Sequence, residues 1–355
     1  MSTATGSTDT ISIAPTLVRL ADGETLGRDD AAELLDAVML GAVSPVQAAS
    51  AFTAMRVRGE TVEEITGFAQ TMRRHALRVA IAPGGPVVDT CGTGGDGAGT
   101  FNVSTTAAFV AAGAGARIAK HGNRSMSSRC GSADLLEGLG ARITLSPEHV
   151  AGCVDASGFG FMFAQAYHPA MRHVAPVRRE LGFRTVFNLL GPLTNPAGAT
   201  RQVIGVGDRA AARKMVEVLA NLDCERVWIV TSSDGMDELT LAGPNTVQEF
   251  DCRSGDMREW TLDPADLRLG RATAADLAGG DIDDNVAITR AVLAGEAGPR
   301  RNTVVLNAAA ALVVAGLADD LEDGIDRARR AIDDGSAERS LSAFVVASQH
   351  ADTSA

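Results

Sequence analysis

The chain has 355 residues, and its 32 Lys and Arg residues against 44 Asp and Glu residues give a formal net charge of −12 at pH 7. This acidic balance argues against a broad nucleic-acid-binding or anionic-membrane-binding surface, which needs clustered positive charge. Hydrophobic residues make up 45% of the chain and charged residues 21%, so a sizeable core is available, and the length suggests about two domains.

Residues 11–82 have a helical pattern throughout, with no strand-like segment between the helices. Asp29 or Asp30 can cap the first long helix, and Thr61-Val-Glu-Glu64 is a capping box for a later one. The sequence therefore predicts a small all-helical N-terminal domain whose apolar stripes need a partner, either the rest of the chain or a second copy. The predicted helices span 31–40, 45–58 and 62 to about 78.

Strand-like and helix-like segments alternate after the turn cluster Pro83-Gly-Gly-Pro86. This alternation predicts an α/β domain with a mostly parallel, helix-covered central sheet. The predicted strands are 87–89, 116–119, 202–206 and 226–231, and the predicted helices are 102–113, 132–138, 209–222 and 302–316.

Residues 170–192 have a helical pattern again and are expected to rejoin the N-terminal helices. We therefore expect two domains and two flexible tails. The small helical domain takes in 11–82 and about 167–195, the large α/β domain takes in 84–166 and 196–350, and the tails are 1–10 and 351–355.

A glycine-rich loop, Thr90 to Thr100, follows the first predicted strand. Gly92-x-Gly94-x-x-Gly97 matches the dinucleotide-binding pattern, but no acid lies between Gly97 and Ala133 to hold a ribose, and the lysine of a P-loop is also missing. The glycines let backbone N–H groups approach a ligand, and the helix that begins at Asn102 favours an anion. A tight strand–helix turn without a ligand is the alternative.

The acid-free stretch from Gly97 to Ala133 carries a local charge of +4 in a chain of net −12. Within it, Lys120-His-Gly-Asn-Arg-Ser-Met-Ser-Ser128 combines an ammonium, a guanidinium and hydroxyls, which all suit phosphate. It follows a strand predicted to end at Ala119, where parallel sheets bind ligands. A solvated basic loop is the alternative, and His121 alone is more typical of a loop or buried histidine than of a catalyst. The four cations are Arg117, Lys120, Arg124 and Arg129.

Two adjacent acids, Asp237 and Glu238, follow the predicted strand 226–231. Beside a phosphate pocket they suit Mg²⁺, which prefers one or two carboxylates together with phosphate oxygens and water. Helix capping by Asp234 or Asp237 is the alternative. Zinc does not fit, because no Cys or His pair has metal-ligand spacing.

Arg178 and Arg179 lie in the helical pattern of 170–192 and are about 100° apart on a helix. One of them can therefore bind a carboxylate in a cleft while the other is solvated. Gly191-Pro192 and Asn195-Pro196 are typical turn sequences.

Five cysteines without CxxC spacing favour buried thiols in a reducing compartment. The first ten residues carry neither the basic nor the apolar part of a secretory signal. The best candidate for a membrane span, Thr303 to Ala318, is too short and is interrupted by Asn307. We therefore expect a soluble, cytoplasmic protein.

Six motifs in chain order together resemble anthranilate phosphoribosyltransferases, over the range from Ile11 to about Val346. Each motif alone is moderately specific, whereas six in order are highly specific. They are Gly92-Thr-Gly-Gly-Asp96, Asn102-Val-Ser-Thr105, Lys120-His-Gly-Asn-Arg124, Gly131-Ser-Ala-Asp134, Arg184-Thr-Val-Phe-Asn188 with Gly191-Pro-Leu193, and Asp237-Glu238.

The resemblance implies that the amino group of anthranilate replaces pyrophosphate at C1 of 5-phosphoribosyl diphosphate (PRPP), with Mg²⁺ as cofactor, in tryptophan biosynthesis. It also implies a homodimer paired through the helical domain. No nucleic-acid or membrane partner is expected, because the chain is acidic and no apolar run is long enough for a span. PRPP would be held by Gly92, Gly95, Asp96, Thr100, Asn102, Val103, Ser104, Thr105, Lys120, Ser127, Ser128 and Ser132. Anthranilate would be bound by Gly92, Asn123 and Arg178, with His121, His168 and Pro192 along its path, and the metals by Ser104, Asp237 and Glu238.

The residues agree with the implied mechanism, because a polyanionic leaving group calls for positioning and charge stabilisation more than for a protein nucleophile. Lys120, Asp96 and Asn123 would stabilise the transition state. The alternatives are a pyrimidine-nucleoside phosphorylase-like enzyme and a non-catalytic nucleic-acid-binding relative of the same fold; a Rossmann dehydrogenase is third, and the missing ribose-binding acid disfavours it.

Overall fold

The computed structural model describes residues 13–125 and 129–349. The predicted tails 1–10 and 351–355 and the candidate residues Ser127 and Ser128 lie outside the described residues. The chain divides into a helical unit, Met1–Ala76 with His168–Leu190, and an α/β unit, Leu77–Tyr167 with Gly191–Ala355. The domain limits expected from the sequence stay a prediction.

Fifteen α-helices and seven strands lie in the described residues, together with two short 3-10 helices at Pro169–His173 and Pro264–Leu267. The helices are α1 Ala14–Ala21, α2 Arg28–Met39, α3 Pro45–Arg58, α4 Val62–His75, α5 Val103–Gly113, α6 Ser132–Gly138, α7 Pro147–Ser157, α8 Ala164–Tyr167, α9 Ala175–Leu181, α10 Phe187–Leu193, α11 Arg209–Ala220, α12 Ile282–Leu293, α13 Pro299–Ala315, α14 Leu321–Asp333 and α15 Ser336–Gln349. The strands are β1 Val87–Gly92, β2 Arg117–Gly122, β3 Phe159–Phe163, β4 Arg201–Gly205, β5 Arg226–Ser232, β6 Asn245–Asp251 and β7 Asp256–Leu262. None of these helices is both long and apolar enough to cross a membrane.

Capping explains where the helices of the helical unit begin. The predicted box at Thr61 and Glu64 is confirmed, since each side chain binds the other residue's backbone N–H, at 3.2 and 2.9 Å. The predicted cap of α2 by Asp29 or Asp30 is wrong, because Gly27 occupies the cap position and both acids lie in the first turn. There they still oppose the positive end of the helix dipole.

Glu64 connects three parts of the helical unit from a fully buried position. Its carboxylate accepts the backbone N–H of Leu26 at 2.8 Å and contacts Arg58 Nη2 at 2.6 Å, in addition to its bond with Thr61. A buried carboxylate is tolerated only when its oxygens are paired in this way.

The α/β unit contains one seven-stranded sheet in the order β3-β2-β1-β4-β5-β6-β7. The first five strands in this order are parallel to their neighbours, and β6 and β7 add an antiparallel hairpin. The predicted fold class, a small helical N-terminal part and a mostly parallel helix-covered sheet, is confirmed. The local sequence pattern does not predict β3, β6 and β7, because β3 is a short, fully buried run without alternation and β6 and β7 form an antiparallel hairpin outside the strand–helix alternation.

The strands β1 and β2 continue farther than the sequence predicted. Strand β2 pairs with β3 as far as Gly122, so Lys120 and His121 lie inside the strand rather than in a loop after it. Non-local pairing of this kind is invisible to a local pattern, which ends a strand at the first polar residue.

Strand β1 lies between β2 and β4, so the chain moves to one side of β1 and later returns to the other. The crevice beyond the carboxyl ends at such a switch point is where open α/β sheets bind ligands. Gly92 is the last residue of β1 and Gly205 is the last residue of β4, and the two are directly paired.

Replacing Glu64 with Ala should lower the free energy of unfolding by about 3 kcal/mol or more, because Arg58 and two backbone donors lose a buried partner. Thr61→Ala, which removes only one side of the capping box, should cost about 1 kcal/mol. Urea unfolding followed by circular dichroism measures both. Equal losses for the two variants would contradict the central role of Glu64.

Candidate active site

The glycine-rich loop after β1 turns through backbone conformations that other residues rarely adopt. Gly94 and Gly95 have φ angles of +68° and +72°. The carboxyl-terminal end of the loop is hydrogen-bonded to a distant segment. Phe101 donates its N–H to the carbonyl of Leu277 at 3.0 Å, and the N–H of Gly279 donates to the carbonyl of Gly99 at 3.0 Å. The backbone of the loop is therefore fixed by contacts with other segments, which a simple strand–helix connection would not need.

Asp237 is inserted against this loop from the segment that follows β5. Its Oδ2 accepts the N–H of Gly94 at 2.6 Å, and its own N–H donates to Asp96 Oδ2 at 3.3 Å. A Cβ atom at Gly205 would overlap the carbonyl of Asp237, and one at Gly92 would overlap its carboxylate. Gly92 and Gly205 thus leave the space that Asp237 occupies, and we call this space the seat of Asp237.

Glu238 lies at the amino end of α5, where its Oε1 accepts the N–H of Ser104 at 2.9 Å. The ammonium of Lys120 reaches Ser104 Oγ at 3.3 Å and donates to the carbonyl of Thr90. The free donors of a helix amino end favour an anion, and the acceptor that Ser104 binds there in this structure is the carboxyl group of Glu238. Helix capping by Asp234 or Asp237 is not seen, because the described segment 233–244 contains no helix.

The acids here raise one another's proton affinity. Burial is the main cause that raises the pKa of Asp237, and the nearby Asp96 adds to it. Burial is also the main cause that raises the pKa of Glu238, and Asp237 adds to it. A cation bound to these oxygens would oppose the rise in the pKa of both acids. The described residues contain no group of three or more His, Cys, Asp or Glu side chains placed to hold a metal alone. Two carboxylates completed by phosphate oxygens and water fit Mg²⁺, so the donor set suits it.

Lys120 is itself almost completely buried, with 2% of its surface exposed, close to the fully buried Asp89. Burial raises the pKa of Asp89, and the charge of Lys120 opposes this shift. The Asp89 carboxylate also accepts the backbone N–H of His121 at 3.3 Å and the Nδ2–H of Asn195 at 2.8 Å. The buried side chains of Lys120, Asp89 and Asn195 are therefore paired and fixed.

The other three cations of the acid-free stretch bind acids that lie outside it. Arg117 pairs with Asp155 at 2.9 Å and Arg124 with Asp134 at 2.9 Å. Arg124 also contacts Glu137 at 2.5 Å, and Arg129 lies 3.8 Å from Asp281. Arg124 is therefore paired with two acids, whereas Lys120 contacts Ser104, and the expected phosphate contact of Arg124 stays a prediction.

A second group of candidates surrounds the end of β2. The carbonyl of Asn123 accepts from Ser132 Oγ at 3.2 Å. His121 Nδ1 lies 3.2 Å from the carbonyl of Gly191, and the carbonyl of Pro192 accepts from Gln202 at 2.8 Å. Asn123 and Ser132 therefore form one pair, and His121 and Gly191 form another. The turn predicted at Gly191-Pro192 is wrong, because both residues lie inside α10.

The remaining candidates, His168 and Arg178, belong to the helical unit. Arg178 is half-buried in α9 with its guanidinium carbon 5.6 Å from the ring centre of Phe187, and its neighbour Arg179 is exposed. Burial lowers the pKa of Arg178, but a guanidinium stays charged at neutral pH. This arrangement agrees with the expectation that only one of the two arginines is solvated.

The residues that hold the candidate side chains in place were not predicted from the sequence. Asn285 accepts the N–H of Asn102 at 3.2 Å, and no local signal marks it. Gly205 could have been found, because a lone glycine in a strand indicates close approach of another backbone. Asn195 was assigned only to a turn, although it binds Asp89 and the carbonyl of Ala119.

The class of protein follows from the two family models that match the chain. Residues 84–338 match the a/b domain of a glycosyl transferase family, and residues 14–76 match the helical bundle domain of such a family. An anthranilate phosphoribosyltransferase of Rubrobacter xylanophilus is 54% identical over 334 residues, which is 94% of this chain and 96% of the relative. The chain belongs to the anthranilate phosphoribosyltransferase family.

Solved structures agree with this assignment. The anthranilate phosphoribosyltransferase of Thermus thermophilus is 44% identical and superposes with a TM-score of 0.88 over 94% of this chain and 99% of that one. The Saccharomyces cerevisiae enzyme, solved in complex with PRPP and Mg, is 28% identical with a TM-score of 0.86 over 95% and 99% of the two chains. The comparisons do not favour a nucleoside phosphorylase or a nucleic-acid-binding relative.

Gly205→Ala should move Asp237 away from the glycine-rich loop and lower phosphoribosyltransferase turnover by about tenfold or more, while the fold persists. The measurement is turnover at saturating substrates together with a thermal unfolding curve. Gly207→Ala is the matched control, since its nearest neighbour atom is 3.2 Å from the added carbon. Turnover equal in both variants would show that the seat of Asp237 does not matter.

Proposed function

We propose that the protein transfers the 5-phosphoribosyl group of PRPP to the amino group of anthranilate, giving N-(5-phosphoribosyl)anthranilate and pyrophosphate in tryptophan biosynthesis. The observation that carries this proposal is the convergence of Asp237, Glu238 and Lys120 on the glycine-rich loop and the amino end of α5, in a chain 54% identical to a protein of that activity. Polyphosphate chemistry needs this combination of backbone donors, one cation and metal-binding carboxylates.

For PRPP we propose binding by the glycine-rich loop, the start of α5 and the end of β2. The backbone donors of the loop and the ammonium of Lys120 supply positive charge where the pyrophosphate leaves. The proposed residues are Gly92, Gly95, Asp96, Thr100, Asn102, Val103, Ser104, Thr105, Lys120 and Ser132, with Ser127 and Ser128 outside the described residues.

For the metal we propose Mg²⁺ held by Asp237 and Glu238, with Ser104 at a second ion. The yeast relative solved with PRPP and Mg supports this choice. When bound, Mg²⁺ neutralises negative charge on the diphosphate. The raised pKa values of both acids agree with a site that is completed by a cation.

The reaction then needs little acid–base help from the protein. The neutral amino nitrogen donates its lone pair to C1 as the bond from C1 to pyrophosphate breaks with its electron pair, which inverts C1. The nitrogen afterwards loses one proton to solvent. Lys120, Asp96 and Asn123 are proposed to stabilise the charge that develops, by position rather than by proton transfer.

For anthranilate we propose that Arg178 binds the carboxylate, since a guanidinium forms two parallel charged hydrogen bonds with a carboxylate. The other proposed anthranilate-binding residues are Gly92, Asn123, His121, His168 and Pro192.

We also propose a homodimer formed through the helical unit and a cytoplasmic location. Val46 and Val57 on α3 are 75% and 83% exposed, and Val18 on α1 is 60% exposed, so apolar surface is available for a second copy. None of the five cysteines, all of which lie in the described residues, forms a disulfide, and burial raises the pKa of the thiols of Cys130 and Cys153 to about 11, which suits a reducing compartment. The charge of −12 supports the absence of a nucleic-acid partner.

The direct test is the loss of anthranilate fluorescence when PRPP and Mg²⁺ are added to the purified protein. We expect a loss that needs both PRPP and Mg²⁺ and that stops when EDTA is added. Thymidine with phosphate is the parallel assay for the phosphorylase alternative. Persistent fluorescence with all components present would refute the proposed transfer.

Arg178→Ala should raise the KM for anthranilate by about tenfold or more and leave the KM for PRPP unchanged, because one charged contact to the carboxylate is lost. Arg179→Ala is the matched control, since it removes the same charge from the exposed neighbour. Initial rates over both substrate concentrations measure the effect. A change in the KM for PRPP alone would place Arg178 at the wrong substrate.

A further inference from the structure

Asn307 is the polar interruption in the long apolar run of α13, and only 7% of it is exposed. Its Oδ1 accepts the N–H of Leu239 at 3.1 Å, and its Nδ2 donates to the carbonyl of Leu239 at 2.9 Å. A third bond from Nδ2 to the carbonyl of Thr303, at 2.9 Å, fixes the amide on its own helix. Asn307 therefore holds both backbone groups of one residue in a distant segment.

Leu239 directly follows the acid pair. Its N–H belongs to the peptide group that joins it to Glu238, and a peptide group is planar. A hydrogen bond to that N–H therefore also fixes the orientation of the Glu238 backbone. The side chain of Leu239 is fully buried, so the residue is held on three sides.

A second amide acts on the next residue. Asn245, at the start of β6, accepts the N–H of Thr240 at 2.9 Å and donates to its carbonyl at 3.1 Å. The described segment 233–244 belongs to neither a helix nor a strand, so no regular ladder fixes its backbone. The amides of Asn307 and Asn245 supply the paired hydrogen bonds that a neighbouring strand would otherwise provide.

We propose that Asn307 is a positioning residue for the metal-binding carboxylates Asp237 and Glu238, with Asn245 as its counterpart on the sheet side. The proposal rests on the proposed function of this acid pair. An amide suits the task because it offers a donor and an acceptor together and adds no charge beside the carboxylates. Loss of a residue that orients metal ligands typically weakens metal binding 10- to 100-fold.

The test is Mn²⁺ binding to the full-length protein, measured from the electron paramagnetic resonance signal of free Mn²⁺, alone and with PRPP. Asn307→Ala should raise the dissociation constant for Mn²⁺ by about tenfold or more, and should raise the Mg²⁺ concentration that gives half-maximal activity by a similar factor. The KM for anthranilate should not change. Asn245→Ala is a second variant with the same expected direction, which keeps the test decisive if Asn307→Ala does not fold.

Thr303→Val is the matched control, since it removes from the same helix a buried hydroxyl that donates to the carbonyl of Pro299. It should lower the unfolding temperature while leaving Mn²⁺ affinity unchanged. Wild-type Mn²⁺ affinity in folded Asn307→Ala and Asn245→Ala proteins would overturn the proposal, and so would an equal loss of affinity in Thr303→Val. Absence of Mn²⁺ binding to the unaltered protein would overturn it as well, whereas Mn²⁺ binding without consumption of anthranilate would refute the transfer reaction alone.

Discussion

The site depends on one close contact, in which the backbone of Asp237 crosses the ends of β1 and β4. Gly92 and Gly205 pair at these strand ends, and a Cβ on either would occupy the space of Asp237. Only because both side chains are missing can the segment after β5 reach the glycine-rich loop. Asp237 and Gly94, which are 143 residues apart in the chain, are then joined by one short hydrogen bond.

This close approach concentrates charge, and the surrounding groups offset its cost. Asp96, Asp237 and Glu238 lie together, so burial and mutual repulsion raise the pKa values of the last two. Backbone donors of the loop and of α5 compensate part of the penalty, and the buried ammonium of Lys120 compensates another part. The arginines near Lys120 pair elsewhere, so the local excess of positive charge in the sequence is largely neutralised in the fold.

Neutral amides hold the strand and loop residues around this charged centre. Asn195, Asn285 and Asn307 each bind backbone or side-chain groups far from them in the chain. An aspartate in these places would add a further negative charge beside the carboxylates, and an apolar residue would leave buried N–H and C=O groups unpaired. Asparagine avoids both costs, which explains why polar residues interrupt otherwise apolar elements such as α13.

The sequence by itself determined the helical and α/β parts, the capping box at Thr61, and the kinds of residue at the site, because periodicity, capping and side-chain chemistry are properties of neighbours in the chain. It misplaced the end of β2 and did not predict the ion pair of Arg124 with Asp134, since strand pairing and ion pairing join residues that local patterns cannot relate. Only the tertiary structure decided that Asp237 meets the glycine-rich loop, that Glu238 meets the amino end of α5, and that Asn307 holds the segment that follows them. Those contacts need strand ends and helix ends to be brought to the same edge of the sheet, and only the packing of the whole α/β unit achieves that.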